Sequence, residues 1–142
     1  MKHFRSRSIW IAAVAFNLTM SISGAAEPRS VKLRCGWFDN PSAGNAWLHD
    51  SDGEWAVSVQ GGHSAKGEWP VFPDSEWIQT GSGSSGYGCA CMRVSAKASS
   101  HEITHIASSK TKSLSSCRAD RKLKEPSNPL DEPDAGPRLK RP

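Results

Sequence analysis

His101-Glu102-Ile103-Thr104-His105 is the sharpest chemical pattern in the chain, a literal H-E-x-x-H. On a helix, histidines four residues apart share one face and hold a zinc ion, while the glutamate polarises a water bound to it. The flanks oppose that chemistry. Lys97-Ala-Ser-Ser100 and Ala107-Ser-Ser109 carry no helical pattern, and β-branched Ile103 and Thr104 fill the middle. Ser108 and Thr111 stand where the longer form of the motif has glycine and a third histidine. Asp120 or Glu125 would have to supply the remaining ligand, and a chain this small leaves little wall for a substrate cleft. A solvated strand or loop is expected there, with no metal assigned. A small zinc hydrolase using His101, Glu102 and His105 is the alternative, and a helix across residues 98–109 is the observation that would revive it.

The other patterns have simpler readings. Gly81-Ser-Gly83-Ser-Ser-Gly86 matches G-x-G-x-x-G but precedes a strand instead of opening a helix, so it reads as a turn. Asp50-Ser-Asp-Gly53 lacks the loop length and terminal glutamate of a calcium loop and reads as a hairpin turn. Cys89-Ala-Cys91 has one residue between its cysteines where redox motifs have two. No G-x-S-x-G occurs, and His49 and His63 have no recognisable partner. No catalytic residue and no cofactor is assigned.

Aromatic residues carry the remaining signal. Five tryptophans lie between Trp37 and Trp77. Exposed indoles stack on sugar rings or anchor protein partners, whereas buried ones fill a core. Most are expected in the core, with Trp37 and Trp69, beside Gly and Pro, at the surface. Trp37, Trp69 and Tyr87 are the candidate binding residues.

The elements that would position these residues are short strands separated by turns. Ala46–His49 and the alternating Glu54–Gln60 flank Asp50-Ser-Asp-Gly53 as a hairpin, with Trp55, Val57 and Val59 on one face. Pro70 and Pro73 make Trp69–Phe72 an edge strand or extended loop. Strands are expected at Glu76–Thr80, Cys89–Ala96 and Ile103–Ala107. In the second of these, Cys89, Cys91 and Arg93 share one side, and Ala90, Met92 and Val94 the other. Ser115 or Ser116 caps a short helix running to Leu123, stopped by Pro126. The fold class is mainly β, a small antiparallel meander or sheet with a short C-terminal helix and two disulfides. An N-terminal signal helix and a disordered C-terminal tail flank it.

Residues 1–26 read as a signal peptide: Lys2, Arg5 and Arg7, an apolar run from Ile9 to Met20, then small residues ending at Ala26. The run is short for a membrane span and interrupted by Asn17, and no cysteine follows a small-residue cleavage point. No stable membrane anchor is therefore expected after cleavage. Residues 27–33 are a lead-in, 34–124 the stapled β-rich domain and 125–142 a tail whose five prolines and two leucines offer little to bury. The formal charge of +4 includes the three basic residues of the signal, and from Cys35 to Cys117 five basic residues face eight acids. That balance argues against a nucleic-acid surface. All four cysteines, Cys35, Cys89, Cys91 and Cys117, lie beyond the signal, so two disulfides in a periplasmic or secreted protein are expected. A bond between Cys89 and Cys91 would close a cramped ring, so each is expected to pair with Cys35 or Cys117. Their spacing leaves open which pairs with which.

Arg34-Cys-Gly-Trp37, Asn40-Pro41, Asp52-Gly-Glu-Trp55, Gln60-Gly-Gly62, Gly67-Glu-Trp-Pro70, Gly86-Tyr-Gly-Cys-Ala-Cys91 and Cys117-Arg-Ala-Asp120 follow one another in order. This series resembles a family of small exported proteobacterial proteins known as a domain of unknown function. The resemblance implies an exported domain and brings no ligand, cofactor or catalytic residue with it. The residues themselves favour a non-catalytic module that binds an envelope component or protein, or inhibits an envelope enzyme. A purely structural envelope protein is the further alternative, and it predicts no exposed tryptophan and no concave surface.

Overall fold

A computed structural model describes residues 30–131; the signal-like segment 1–26 and the end of the proline-rich tail lie outside them. Six strands and one helix follow in order: β1 Lys32–Ser42, β2 Asn45–Asp50, β3 Gly53–Ser58, β4 Ile78–Gln79, β5 Gly86–Lys97, β6 Glu102–Lys112 and α1 Leu114–Ala119. The chain is mainly β with one short helix near its C-terminus.

The β2–β3 hairpin forms where the turn residues place it. Asp50 Oδ1 accepts the Asp52 backbone N–H at 2.8 Å, and Gly53 takes φ of 128°. Trp55 and Val57 turn inward, whereas Val59 falls beyond the strand and is exposed. Strand β1 pairs antiparallel with β2 on one side and β5 on the other, and β5 pairs with β6. The ring closes between β3 and β6 through a parallel pairing of Ala56 with Glu102. The segment around Ala65 and Lys66 fills the rest of that gap, with Ala65 N–H donating to Val57 O and Ile106 N–H to Lys66 O. The meander thus becomes a small barrel, which removes most of its open edges. Bulges near Arg93 and Ser95 let β5 and β6 curve around it.

Alternation along β1 and β5 creates two apolar clusters. Inside the ring, Phe38, Leu48, Trp55, Val57, Ala90, Met92, Val94, Ile103 and Ile106 form the main core. On the outer face, Trp37, Tyr87, Cys89 and Cys117 are buried together beneath α1, with Leu114 and Leu123 against them. Cys35 is bonded to Cys91 and Cys89 to Cys117, so each member of the Cys-Ala-Cys segment joins a distant cysteine. Loops this long each stabilise the fold by roughly 3 to 5 kcal/mol in the chain-entropy model.

The helix starts and stops earlier than its serines and Pro126 suggest. Ser113 is the extended N-cap residue, and Glu76 accepts the Leu114 backbone N–H at 2.8 Å, supplying a partner that local sequence does not contain. Asp120 ends the helix by turning its carboxylate to the Lys122 backbone N–H at 3.0 Å. Further on, Glu125 is held by Arg118 and by the Tyr87 hydroxyl, so ordered contacts reach past residue 124. Strand β1 likewise begins inside the segment read as a lead-in, at Lys32.

Candidate functional site

Gly86 and Gly88 lie two apart on the inward face of β5, opposite Asn40 and Phe38 of β1. Together they leave a strip of backbone without side chains. Two rings from the loop before β4 lie on it. A Cβ at Gly88 would sit 2.5 Å from the Phe72 ring, and one at Gly86 would sit 2.4 Å from the Trp77 indole nitrogen. Glycine is required here for close approach, and the pair fixes where the rings rest. Phe72 and Trp77 pack with centroids 4.9 Å apart and planes inclined by 37°. Phe38 continues the row, 6.0 Å from Phe72 and 5.6 Å from Trp69.

These rings line an open groove of about 460 Å³, together with Asn40, Asp74 and Gln79. Trp69, Phe72 and Trp77 are partly buried, so each is anchored against the core and still reaches solvent. Asn40 sits at the base. Its Nδ2 donates to Ser84 O at 3.2 Å and to Ser84 Oγ at 3.4 Å, while its Oδ1 is buried without a partner. The Ser84 carbonyl can only accept, so it fixes which way the amide points. Gln79 directs its Nε2 to Gly81 O at 2.8 Å, which leaves its carbonyl oxygen free in an exposed residue. Aromatic faces beside a few placed polar groups are the usual composition of a small-ligand site, and the volume falls in the usual range.

A larger depression of about 690 Å³ opens beside His49. His49 lies between two acids, with Nε2 3.5 Å from Asp39 and Nδ1 3.4 Å from Glu54. Lys122, Lys124 and Glu125 complete a lining in which opposite charges face one another and which contains no Trp, Tyr or Phe ring.

Of the candidate binding residues, Trp69 is at the groove and the other two are not. Trp37 is fully buried, correcting its expected place at the surface: β1 turns it under α1, where it meets Tyr87 edge-on at 5.5 Å. Tyr87 is only 4% exposed, and its hydroxyl donates to Glu125 at 3.1 Å. Burial, reinforced by the Glu125 carboxylate, pushes its phenol up to about 12. Arg118 holds Glu125 below the usual carboxylate range. Neither aromatic can meet a ligand in the folded domain. Phe72, Trp77, Asn40 and Gln79 were not picked out from sequence; the spaced pair Gly86 and Gly88, opposite a Trp-Pro-x-Phe-Pro segment, is the signal that points to them.

The H-E-x-x-H sequence does not lie on a helix. His101 occupies the β5–β6 turn at φ of 51°, with its ring stacked on Trp55 at 4.6 Å. Glu102 begins β6 and accepts from the Ser100 hydroxyl at 2.7 Å, and His105 lies farther along the strand. Four residues of strand separate positions by roughly 13 Å, so the closeness of the two histidines that the helical motif supplies is lost. Among the described residues, no group of three or more His, Cys, Asp and Glu side chains is placed to hold a metal. The zinc-hydrolase alternative fails on the strand that replaces its helix.

Fold and site together define a small disulfide-held β domain with an aromatic groove at one end. The model of the family described as "Protein of unknown function (DUF4087)" matches residues 29–124, and the chain belongs to that family. No curated protein and no solved structure matches it.

Proposed function

We propose that this protein is an exported, non-catalytic module that binds a component of the cell envelope through the groove of Trp69, Phe72 and Trp77. The observation that carries this reading is the row of half-buried rings laid on the bare backbone of Gly86 and Gly88, beside free amide and carboxylate acceptors. Such a row is pre-organised for contact, because the core already holds each ring in place. Two disulfides suit an oxidising compartment, and the signal-like segment 1–26 supports delivery to the periplasm or the exterior. A purely structural role predicts no concave aromatic surface, and the groove speaks against it.

An inhibitor form of the same reading draws on Val71. It is 87% exposed between Pro70 and Pro73, which stiffen the loop that presents it. An apolar side chain held out in this way suits insertion into a partner's cleft.

The test is retention of the purified oxidised protein on peptidoglycan, glycan and envelope fractions. The Trp69→Ala, Trp77→Ala double variant is expected to lose about tenfold or more in retention while remaining free of thiols and folded by circular dichroism. Val71→Asp should weaken binding only if a protein cleft is the target. Equal retention by wild type and the double variant, or none by wild type, would refute the proposal.

A further inference from the structure

We infer that the occupant of the aromatic groove is a neutral saccharide, an inference that rests on the groove being the binding site. Three features of the lining select this chemistry. The first is stacking. Phe72 and Trp77 are inclined by only 37°, so they form a platform and not the facing walls of a cage. A pyranose ring has an apolar C–H face that lies against such a platform while its hydroxyls project from the edge.

The second is hydrogen-bonding polarity. The Gln79 amide nitrogen is engaged by Gly81 O, so this exposed side chain of the lining keeps its carbonyl oxygen free as an acceptor. Asp74 adds a carboxylate that accepts only. Gln79 and Asp74 are the accessible acceptors; Asn40 Oδ1 is buried, and Asn40 contributes by donating from Nδ2 to Ser84, which lines the groove. Acceptors at the edge of a stacking surface require a ligand rich in donors, and hydroxyl groups are such donors. A proline-rich peptide brings few N–H groups to meet them, and a quaternary ammonium brings none.

The third is charge. Asp74 is the only ionisable residue lining the groove among the described residues, and no basic side chain lines it. An anionic ligand such as a uronate or phosphate would be desolvated beside a carboxylate with no counter-charge.

Isothermal titration calorimetry on the full oxidised protein tests this. The probes are a neutral β-linked glucose tetramer, an N-acetylglucosamine tetramer, a galacturonate tetramer, choline and a proline-rich peptide. At least one neutral tetramer is expected to bind at least about tenfold more tightly than the galacturonate, choline or peptide. Trp77→Ala should abolish that binding, Trp69→Phe should retain most of it, and exposed Gln79→Ala should weaken it severalfold without changing thermal stability. Preference for galacturonate, choline or the peptide overturns the inference while leaving the groove a binding site. Envelope-protein retention that is lost in the double tryptophan variant, with no saccharide bound, does the same. If no probe binds and no envelope fraction is retained, the binding reading fails as well.

Discussion

The two faces of the β1–β5 strand pair are built from adjacent residues and closed in opposite ways. On the outer face, Trp37 and Cys89 stand opposite each other, with Tyr87 two residues along β5. Helix α1 covers them, and the Cys89–Cys117 bond holds that cover covalently. On the inner face, Phe38 and Asn40 oppose two glycines, and the cover is a loop whose rings rest on bare backbone. Its grip is packing, the short β4–β5 pairing that follows it and the Glu76 bond to the Leu114 backbone N–H, with no covalent staple, and its outer side is open. One face is sealed as structure and the other left open, so in this domain the covalent staples and the open aromatic groove occupy opposite sides of one ladder.

The largest effect that could break this contrast is on stability. Trp37→Ala should cost about 3 to 5 kcal/mol, because it empties a fully buried site. Trp69→Ala, at a partly buried ring, should cost clearly less. Denaturant unfolding of both variants decides the matter, and equal losses would mean that the loop is as integral as the helix.

Next in size is the staple itself. Replacing Cys89 and Cys117 together by serine should cost about 2 to 5 kcal/mol and release α1. Hydrogen exchange should then quicken at Trp37 and Tyr87 while the Phe72 and Trp77 loop keeps its protection. Exchange spreading to both covers would show that they are not independent.

A smaller effect sharpens the description of the sealed face. Tyr87 is the only tyrosine in the chain, so tyrosinate absorbance reports it alone. Its midpoint should lie near 12 instead of 10.0. The fold holds the neutral phenol, so this contribution is complete below the unfolded value of 10.0 and is lost as pH rises through about 12. The displacement corresponds to roughly 2 to 3 kcal/mol. Glu125→Gln should lower the midpoint, and a midpoint near 10 in the wild type would show that α1 does not exclude water. Glu125 runs the other way: its lowered value means stability present above the usual carboxylate range and lost as pH falls through that depressed value.

Much of the fold was legible because its signals are local. The Asp50–Gly53 turn, the inward Trp55 and Val57, the alternation of Cys89 and Cys91 against Ala90 and Met92, and the split cysteine pairing follow from backbone chemistry and side-chain period. The site was less legible. Trp37 and Trp69 have similar neighbours in sequence, each beside glycine or proline within a few positions, yet one is sealed and the other faces solvent.

The sequence by itself determined an even set of cysteines, a β-rich chain with turn chemistry at its hairpin, and an H-E-x-x-H whose β-branched middle favours a strand. Tertiary structure alone decided which cysteines pair, that the ring of strands closes through Ala56 and Glu102, and which aromatic rings remain available. Those outcomes depend on elements distant in the chain: α1 lying over Trp37, and Phe72 and Trp77 reaching the empty face of Gly86 and Gly88. A residue's own neighbours set the direction of its side chain, but exposure is settled by what arrives to cover it.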